Sequence, residues 1–265
     1  MTPRPAAAGK VGLGLLGVGG VGAAAVHAAP LVTSIAMLRT RMLPELAGVG
    51  APGRVALTFD DGPDPASTPQ FIDALARADV RATFFLLGTM LERDPGLGRA
   101  LVQAGHEVAV HAWVHRSMLV RTPRAARDDL TRAHGFITDV TGQRPRYFRP
   151  PYGVLTTGAW RAATGLGLRT VLWTAWGRDW EARATPASVA RLVNRDLRSG
   201  GTVLLHDSDC TSAPGSWRRT LAALPQLLDD WRSRGWQVGP LCEHQARPAS
   251  GSAPQLGSAP QPRSA

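Results

Sequence analysis

Between residues 54 and 241, short apolar runs alternate with longer stretches whose apolar positions recur every three or four residues. The runs are rich in Val, Leu, Phe and Thr and fall at 55–59, 82–87, 107–110, 146–148, 169–173, 202–205 and 237–241. Their length and side-chain content predict strands. The intervening stretches at 69–78, 98–103, 123–140, 157–163, 186–198 and 217–234 predict helices. Three of them follow a Thr-Pro pair (Thr68-Pro69, Thr122-Pro123 and Thr185-Pro186), a cap residue and then a residue suited to the first turn. Alternation of strand and helix implies an α/β fold with a mainly parallel sheet. About seven such units fit a (β/α) barrel better than an open sheet.

The ends of the chain break this pattern. No Asp, Glu, Lys or Arg occurs from Val11 to Leu38, while Arg4 and Lys10 precede the stretch and Arg39 and Arg41 follow it. Residues 1–41 are therefore expected to be an export signal or an uncleaved signal-anchor, with Val26-His27-Ala28 as a small-residue cleavage site. The run is too glycine-rich for a stable soluble helix. Residues 42–53 are read as a linker, 54–243 as the folded domain, and 244–265 as a disordered tail of Ala, Ser, Pro, Gln and Gly. The expected placement is extracytoplasmic, either secreted or held at a membrane by the N-terminal segment.

With 265 residues, 44% of them hydrophobic, the chain can bury one large core but not two comfortable ones. Its net charge is +10, and Lys10 is its one lysine among 30 basic residues. That excess fits attraction to a polyanion such as an acidic wall or lipid head groups, or the codon bias of a GC-rich genome. The arginines are dispersed and not interleaved with aromatics, so a nucleic-acid groove is not expected. Two cysteines, Cys210 and Cys242, cannot build a structural zinc cluster. In an exported chain they can pair; otherwise they are two thiols buried as small apolar groups.

The reactive side chains share one placement. Asp60 and Asp61 follow the first run, His111 the third and Arg149 the fourth; Asp179 comes shortly after the fifth, and His206 follows the sixth. In parallel barrels the downstream strand ends converge on one mouth, where active sites are built. Asp60-Asp61-Gly62-Pro63 puts two carboxylates before a turn, and either can serve a metal while the other stays free as a base; an Asp-rich turn that includes Asp64 is the bland alternative. His111 and His115 are four apart, which on one helical turn gives a common face for a divalent metal. With Asp61 they make two nitrogens and one oxygen, a set suited to zinc, cobalt or nickel. Arg149-Pro150-Pro151-Tyr152-Gly153 is stiffened by two prolines, so the guanidinium and the Tyr152 N–H can be held in place. Trp173, Trp176 and Trp180 surround Asp179, as core packing or as the wall of a sugar site. His106 and His134 are expected to be structural, and His27 and His244 to lie outside the domain.

Taken together, TFDDGP (58–63), HAWVH (111–115), RPPYG (149–153), Asp179-Trp180 and LLHD (204–207) resemble the five ordered signatures of the polysaccharide deacetylases, carbohydrate esterase family four, with the NodB homology domain. The likeness covers about residues 54–243. It implies a distorted (β/α) barrel of about seven parallel strands and metal-dependent hydrolysis of N-acetyl groups on amino sugars. By motif position, Asp61, His111 and His115 would hold the metal and Asp60 would be the base that deprotonates the attacking water. The Tyr152 N–H would help hold the oxyanion, and His206, oriented and kept charged by Asp179, would protonate the leaving amine. Arg149 would position Asp60, and Trp180 and Leu204 would line the slot for the acetyl methyl. The family usually carries Ser or Thr directly after the first metal histidine; here Ala112 stands there, which implies a looser site.

The expected substrate is peptidoglycan N-acetylglucosamine. Chitin oligomers, lipid-linked amino sugars and small-molecule amides are the alternatives, with a non-catalytic glycan-binding protein as the other class.

Overall fold

The computed structural model describes residues 26–244. The run at 11–25 and the tail from 245 lie outside the described residues. Eight strands form one sheet: β1 (Arg54–Asp60), β2 (Thr83–Leu86), β3 (Glu107–Val110), β4 (Tyr147–Phe148), β5 (Arg169–Thr170), β6 (Ala175–Trp176), β7 (Thr202–His206) and β8 (Gln237–Gly239). The order is β5-β4-β3-β2-β1-β7-β6, with β8 paired beside the first half of β1. Every pairing is parallel. Seven of the strands curl into a half-barrel wrapped by helices, a distorted (β/α) barrel.

Alternation along the strands sorts the core into two compartments. Val55, Leu57 and Phe59 of β1 pack outward with Phe84, Val108, Val110 and Phe148 under the helices. Ala56, Phe85, Ala109, Tyr147 and Val171 meet inside the curl. Continuing that inward parity to the downstream ends reaches Asp60 on β1, His111 after β3, Arg149 after β4 and His206 on β7.

Helices cover the outer face at Thr68–Arg77, Pro95–Gln103, Pro123–Thr141, Thr157–Gly165, Pro186–Asp196 and Ser216–Ser233. Thr122 accepts from Ala125 N at 3.2 Å, and Thr185 forms a reciprocal capping box with Ser188. Thr68 departs from the expectation. Its helix starts at Thr68 after Ser67, whose side chain makes no cap hydrogen bond, and the Thr68 hydroxyl donates to buried Asp207 at 2.6 Å. The short strand β6 and the helix Gly88–Arg93 carry no sequence pattern that predicts them.

The half-barrel is open between β5 and β6, and the segment before β1 fills the opening. Residues 42–53, expected as a linker, are helical over Pro44–Ala47 with Ala47 fully buried. Leu46 O accepts from Leu172 N at 2.7 Å, and Gly48 O accepts from Thr202 Oγ1 at 2.6 Å. Arg39, read as flanking an export segment, is buried and donates to Thr33 O and Trp173 O. Val26 and His27 also touch the domain, through Thr157 Oγ1 and Leu119 O. His244, placed in the tail by sequence, is buried at the end of the helix Leu241–His244, with its Nε2 2.9 Å from Gly200 O. Among the described residues no helix is long and apolar enough to cross a membrane.

Cys210 and Cys242 are both unpaired. Cys210 Sγ lies 3.5 Å from Asp61 O beyond the downstream end of β1, whereas Cys242 N donates to Glu107 at the upstream end of β3. They sit at opposite mouths of the barrel and cannot bridge.

Candidate active site

Asp60 and His206 are register partners on β1 and β7, so their side chains leave neighbouring strands on the same inward side. Asp61 would point outward on a continued strand. Its φ of 78° turns the chain back, and both carboxylates then face the same mouth. Gly62 follows, at a position where an added Cβ would meet the Asp207 carboxyl at 2.5 Å or closer.

His111 and His115 do meet, though not on a helix: residues 111–115 form a loop in which buried Ala112 holds φ 89°. The loop is tied by Gly88 N to Ala112 O at 3.1 Å, Thr89 N to Trp113 O at 3.0 Å and Trp113 N to Asp129 Oδ2 at 2.8 Å. Asp129 in turn pairs with Arg121 at 2.8 Å. These backbone anchors fix the loop, so the alanine is accommodated in the position where a hydroxyl was expected.

The His111 and His115 Nε2 atoms each lie 3.3 Å from Asp61 Oδ1. That oxygen is buried and accepts no hydrogen bond. Donors on a tetrahedral cation with bonds of about 2.0–2.1 Å are spaced about 3.3 Å apart, which both imidazole–carboxylate spacings match, and all three atoms lie within 4.8 Å of one another, close enough to share a divalent ion. His111 Nδ1 is 2.8 Å from Arg149 O, which assigns its proton to Nδ1 and leaves Nε2 as a lone-pair donor. Burial pushes His115 down to about 4, against the attraction of Asp61, so its imidazole is neutral as a ligand must be. Asp61 is held well below the usual carboxylate range: burial opposes ionisation, but the His111 contact and the positive charge of His206 outweigh it.

Arg149 is wholly buried and stacks 4.1 Å from the Phe85 ring centre. Its Nη1 donates to Asp60 Oδ1 at 2.7 Å and to Thr58 Oγ1 at 2.8 Å, and Nη2 donates to Leu172 O at 2.8 Å. On the opposite side His206 Nδ1 is 3.0 Å from Asp179 Oδ1, while Asp179 Oδ2 accepts from His206 N at 2.8 Å and Thr220 Oγ1 at 2.7 Å. Burial lowers the His206 pKa, but Asp179, Asp61 and Asp60 outweigh it and raise it to about 10. Asp207 is the converse: burial pushes its carboxyl up to about 7 against the Thr68 hydrogen bond.

Above these groups lies a cavity of about 220 Å³. Trp173, Trp176 and Trp180 form one wall, with ring centres 5.6 and 5.0 Å apart, and Trp180 meets His206 edge to face at 5.5 Å. Leu204 lies in the floor and exposed Tyr152 stands at the rim, 4.4 Å from His115. Tyr152 has φ 60°, and Gly153 after it has φ 68° with no room for a Cβ against Trp173. All ten residues picked from the sequence come together here: eight line the cavity, and Arg149 and Asp179 lie beneath it. Sequence reasoning assigned no role to Thr58, although it opens the TFDDGP motif, and missed Thr220 and Thr211, which nothing in their local pattern marks; the three hydroxyls serve Arg149, Asp179 and Asp61.

A buried carboxylate–arginine pair, a fixed imidazole–carboxylate pair and an Asp-His-His set that could hold a metal ion, all at one barrel mouth, define a metal-dependent hydrolase. The family model described as polysaccharide deacetylase matches residues 48–171. A chitooligosaccharide deacetylase of Bradyrhizobium sp. is 37% identical over 195 residues, 71% of this chain and 88% of that protein. A peptidoglycan-N-acetylglucosamine deacetylase of Listeria monocytogenes is 32% identical over 74% of this chain, which spans 39% of that protein's length. Among solved structures, a pseudoenzyme of carbohydrate esterase family 4 from Bacillus anthracis matches with a TM-score of 0.68 at 28% identity, over 75% of this chain and 68% of that one. The chain belongs to the polysaccharide deacetylase family and is a deacetylase hydrolase of the metal-dependent type.

Proposed function

We propose that the chain removes the acetyl group from N-acetylglucosamine units of peptidoglycan outside the cytoplasm, using zinc held by Asp61, His111 and His115. A cation held there supplies positive charge that polarises the amide carbonyl and acidifies water. Asp60 accepts the proton of the attacking water, with Arg149 holding the carboxylate in place. As the carbonyl carbon gains its new C–O bond, the Tyr152 N–H donates to the developing oxyanion. His206, protonated and fixed by Asp179, gives its proton to the nitrogen as the C–N bond breaks, leaving acetate and a free amine. Trp180 and Leu204 flank the acetyl methyl. Two imidazoles and one carboxylate suit zinc, and cobalt or nickel would also fit.

The observation that carries this reading is the 3.3 Å spacing of both imidazoles from an otherwise unpartnered Asp61 oxygen, beside a base and an acid that are each held by a buried counter-charge. The charge-free stretch from Val11 to Leu38 supports export, and the net charge of +10 supports an anionic wall polymer. The Bradyrhizobium relative favours a second reading, chitooligosaccharides as substrate. Acetate release from purified peptidoglycan and from chitooligosaccharides, with zinc and with chelator, separates them. Acetate from peptidoglycan that chelator abolishes is expected; acetate from neither glycan in the presence of zinc would sink both.

A further inference from the structure

The two adjacent carboxylates have different jobs in this site, and something must keep each in its own orientation. For Asp60 that is Arg149. For Asp61 the histidines take only Oδ1, and Oδ2 is buried with it. The donor to Oδ2 is Thr211 Oγ1, at 2.5 Å. Thr211 is itself exposed, so its hydroxyl reaches inward from a surface loop rather than from the core.

That loop is built to bring it there. Asp209 Oδ2 accepts from Gly215 N at 2.5 Å, and Asp209 O accepts from Ser212 N at 3.1 Å, closing the loop on itself. Ala213 N donates to Trp180 O at 3.1 Å, and the Cys210 thiol lies 3.5 Å from Asp61 O. The loop thus grips the carboxylate, the backbone of the same residue and the wall of the cavity.

We propose that Thr211 is the positioning residue for the metal-binding carboxylate: its hydroxyl occupies Asp61 Oδ2 and presents Oδ1 alone to the cation. This rests on the reading that Asp61, His111 and His115 hold a divalent ion. An ionised carboxylate only accepts hydrogen bonds, so the hydroxyl proton must point at Oδ2, and the carboxylate cannot swing to offer both oxygens without losing it. Partners of this kind typically change metal affinity about 10–100-fold.

The test titrates zinc into the metal-stripped full-length chain against a chromophoric chelator. Thr211→Val keeps the shape and removes the hydroxyl, and its exposed position makes the exchange compatible with folding. Thr211→Ala is the second variant should valine disturb the loop. Zinc binding about 10–100-fold weaker in both, with Thr211→Ser restored to within about threefold of the unmodified chain, is the expected result. Equal affinity in the valine and unmodified chains, as when a water replaces the hydroxyl, overturns the proposal. So does a serine variant as weak as valine, since a packing role would not be rescued by a hydroxyl. If the unmodified chain takes up no zinc, the metal reading itself fails, and that outcome is distinct because it appears before any substitution is made.

Discussion

Replacing Arg149 by Met is the sharpest test of how the site is built. The guanidinium is fully buried, and its Nη1 is shared between Asp60 at 2.7 Å and Thr58 at 2.8 Å. Asp60 is 3% exposed, so without the arginine its buried carboxylate loses the cation hydrogen-bonded to it. Breaking a buried pair from one side costs about 3–5 kcal/mol. Against a domain stability of roughly 5–15 kcal/mol that is a large share. Removing both charges, as in Asp60→Asn with Arg149→Met, should cost well under the sum of the two single changes, with a coupling of about 2 kcal/mol or more. Urea unfolding of the four metal-stripped proteins measures it, read as midpoint shifts at constant slope. A coupling under about 0.5 kcal/mol would mean that the two groups do not depend on one another, and the account of Arg149 as the holder of Asp60 would be wrong.

Three further outcomes follow from the same geometry. Asp60→Asn should retain zinc and lose turnover by about two to four orders of magnitude, whereas His111→Ala should lose zinc; equilibrium dialysis beside an acetate assay checks both, and an active Asn variant would unseat the base. Asp179→Asn removes the main partner that holds His206 at about 10, so the alkaline limb of kcat should move to lower pH, and an unmoved limb would exclude the pair as the acid. Because that pKa is raised above its ordinary 6.5, the stability contributed by the pair is complete below pH 6.5 and lost as pH rises through about 10. The variant should therefore lose its stability deficit in alkaline solution, as thermal melts across pH would show. Gly153→Ala places a Cβ 2.7 Å from Trp173 at φ 68°, and should destabilise by about 1–2 kcal/mol while raising KM through the displaced Tyr152 rim.

The chemistry of the site was legible because strand ends are legible. Asp60, His111, Arg149 and His206 each follow or finish an apolar run, and the period of two that makes those runs visible is what turns the four side chains inward. His111 and His115 come together by a route other than the expected one. Four-residue spacing suggested a helical turn, but a loop with a left-handed Ala112, anchored on Gly88, Thr89 and Asp129, achieves the same meeting. Hydrogen bonds to residues far along the chain leave no periodic trace. The supporting hydroxyls of Thr211 and Thr220 were therefore invisible, and so were the role of Thr58 and the closing of the barrel by residues 44–48. Short sequence rich in glycine and proline reads as linker whether or not its backbone finds a partner.

The likeness to a pseudoenzyme shows that the fold alone does not carry the chemistry; the side chains at the mouth do. A curled parallel sheet delivers inward positions at its mouth whatever residues occupy them. Two features here go beyond what the sheet delivers. Asp61 would face outward by strand parity and is brought in only by its left-handed backbone; it then stands beside Asp60, with Thr211 as its hydroxyl donor where Asp60 has the Arg149 guanidinium. Separate hydrogen-bond donors, Arg149 for one and Thr211 for the other, hold two adjacent carboxylates in different orientations at one mouth, so that each can do different work.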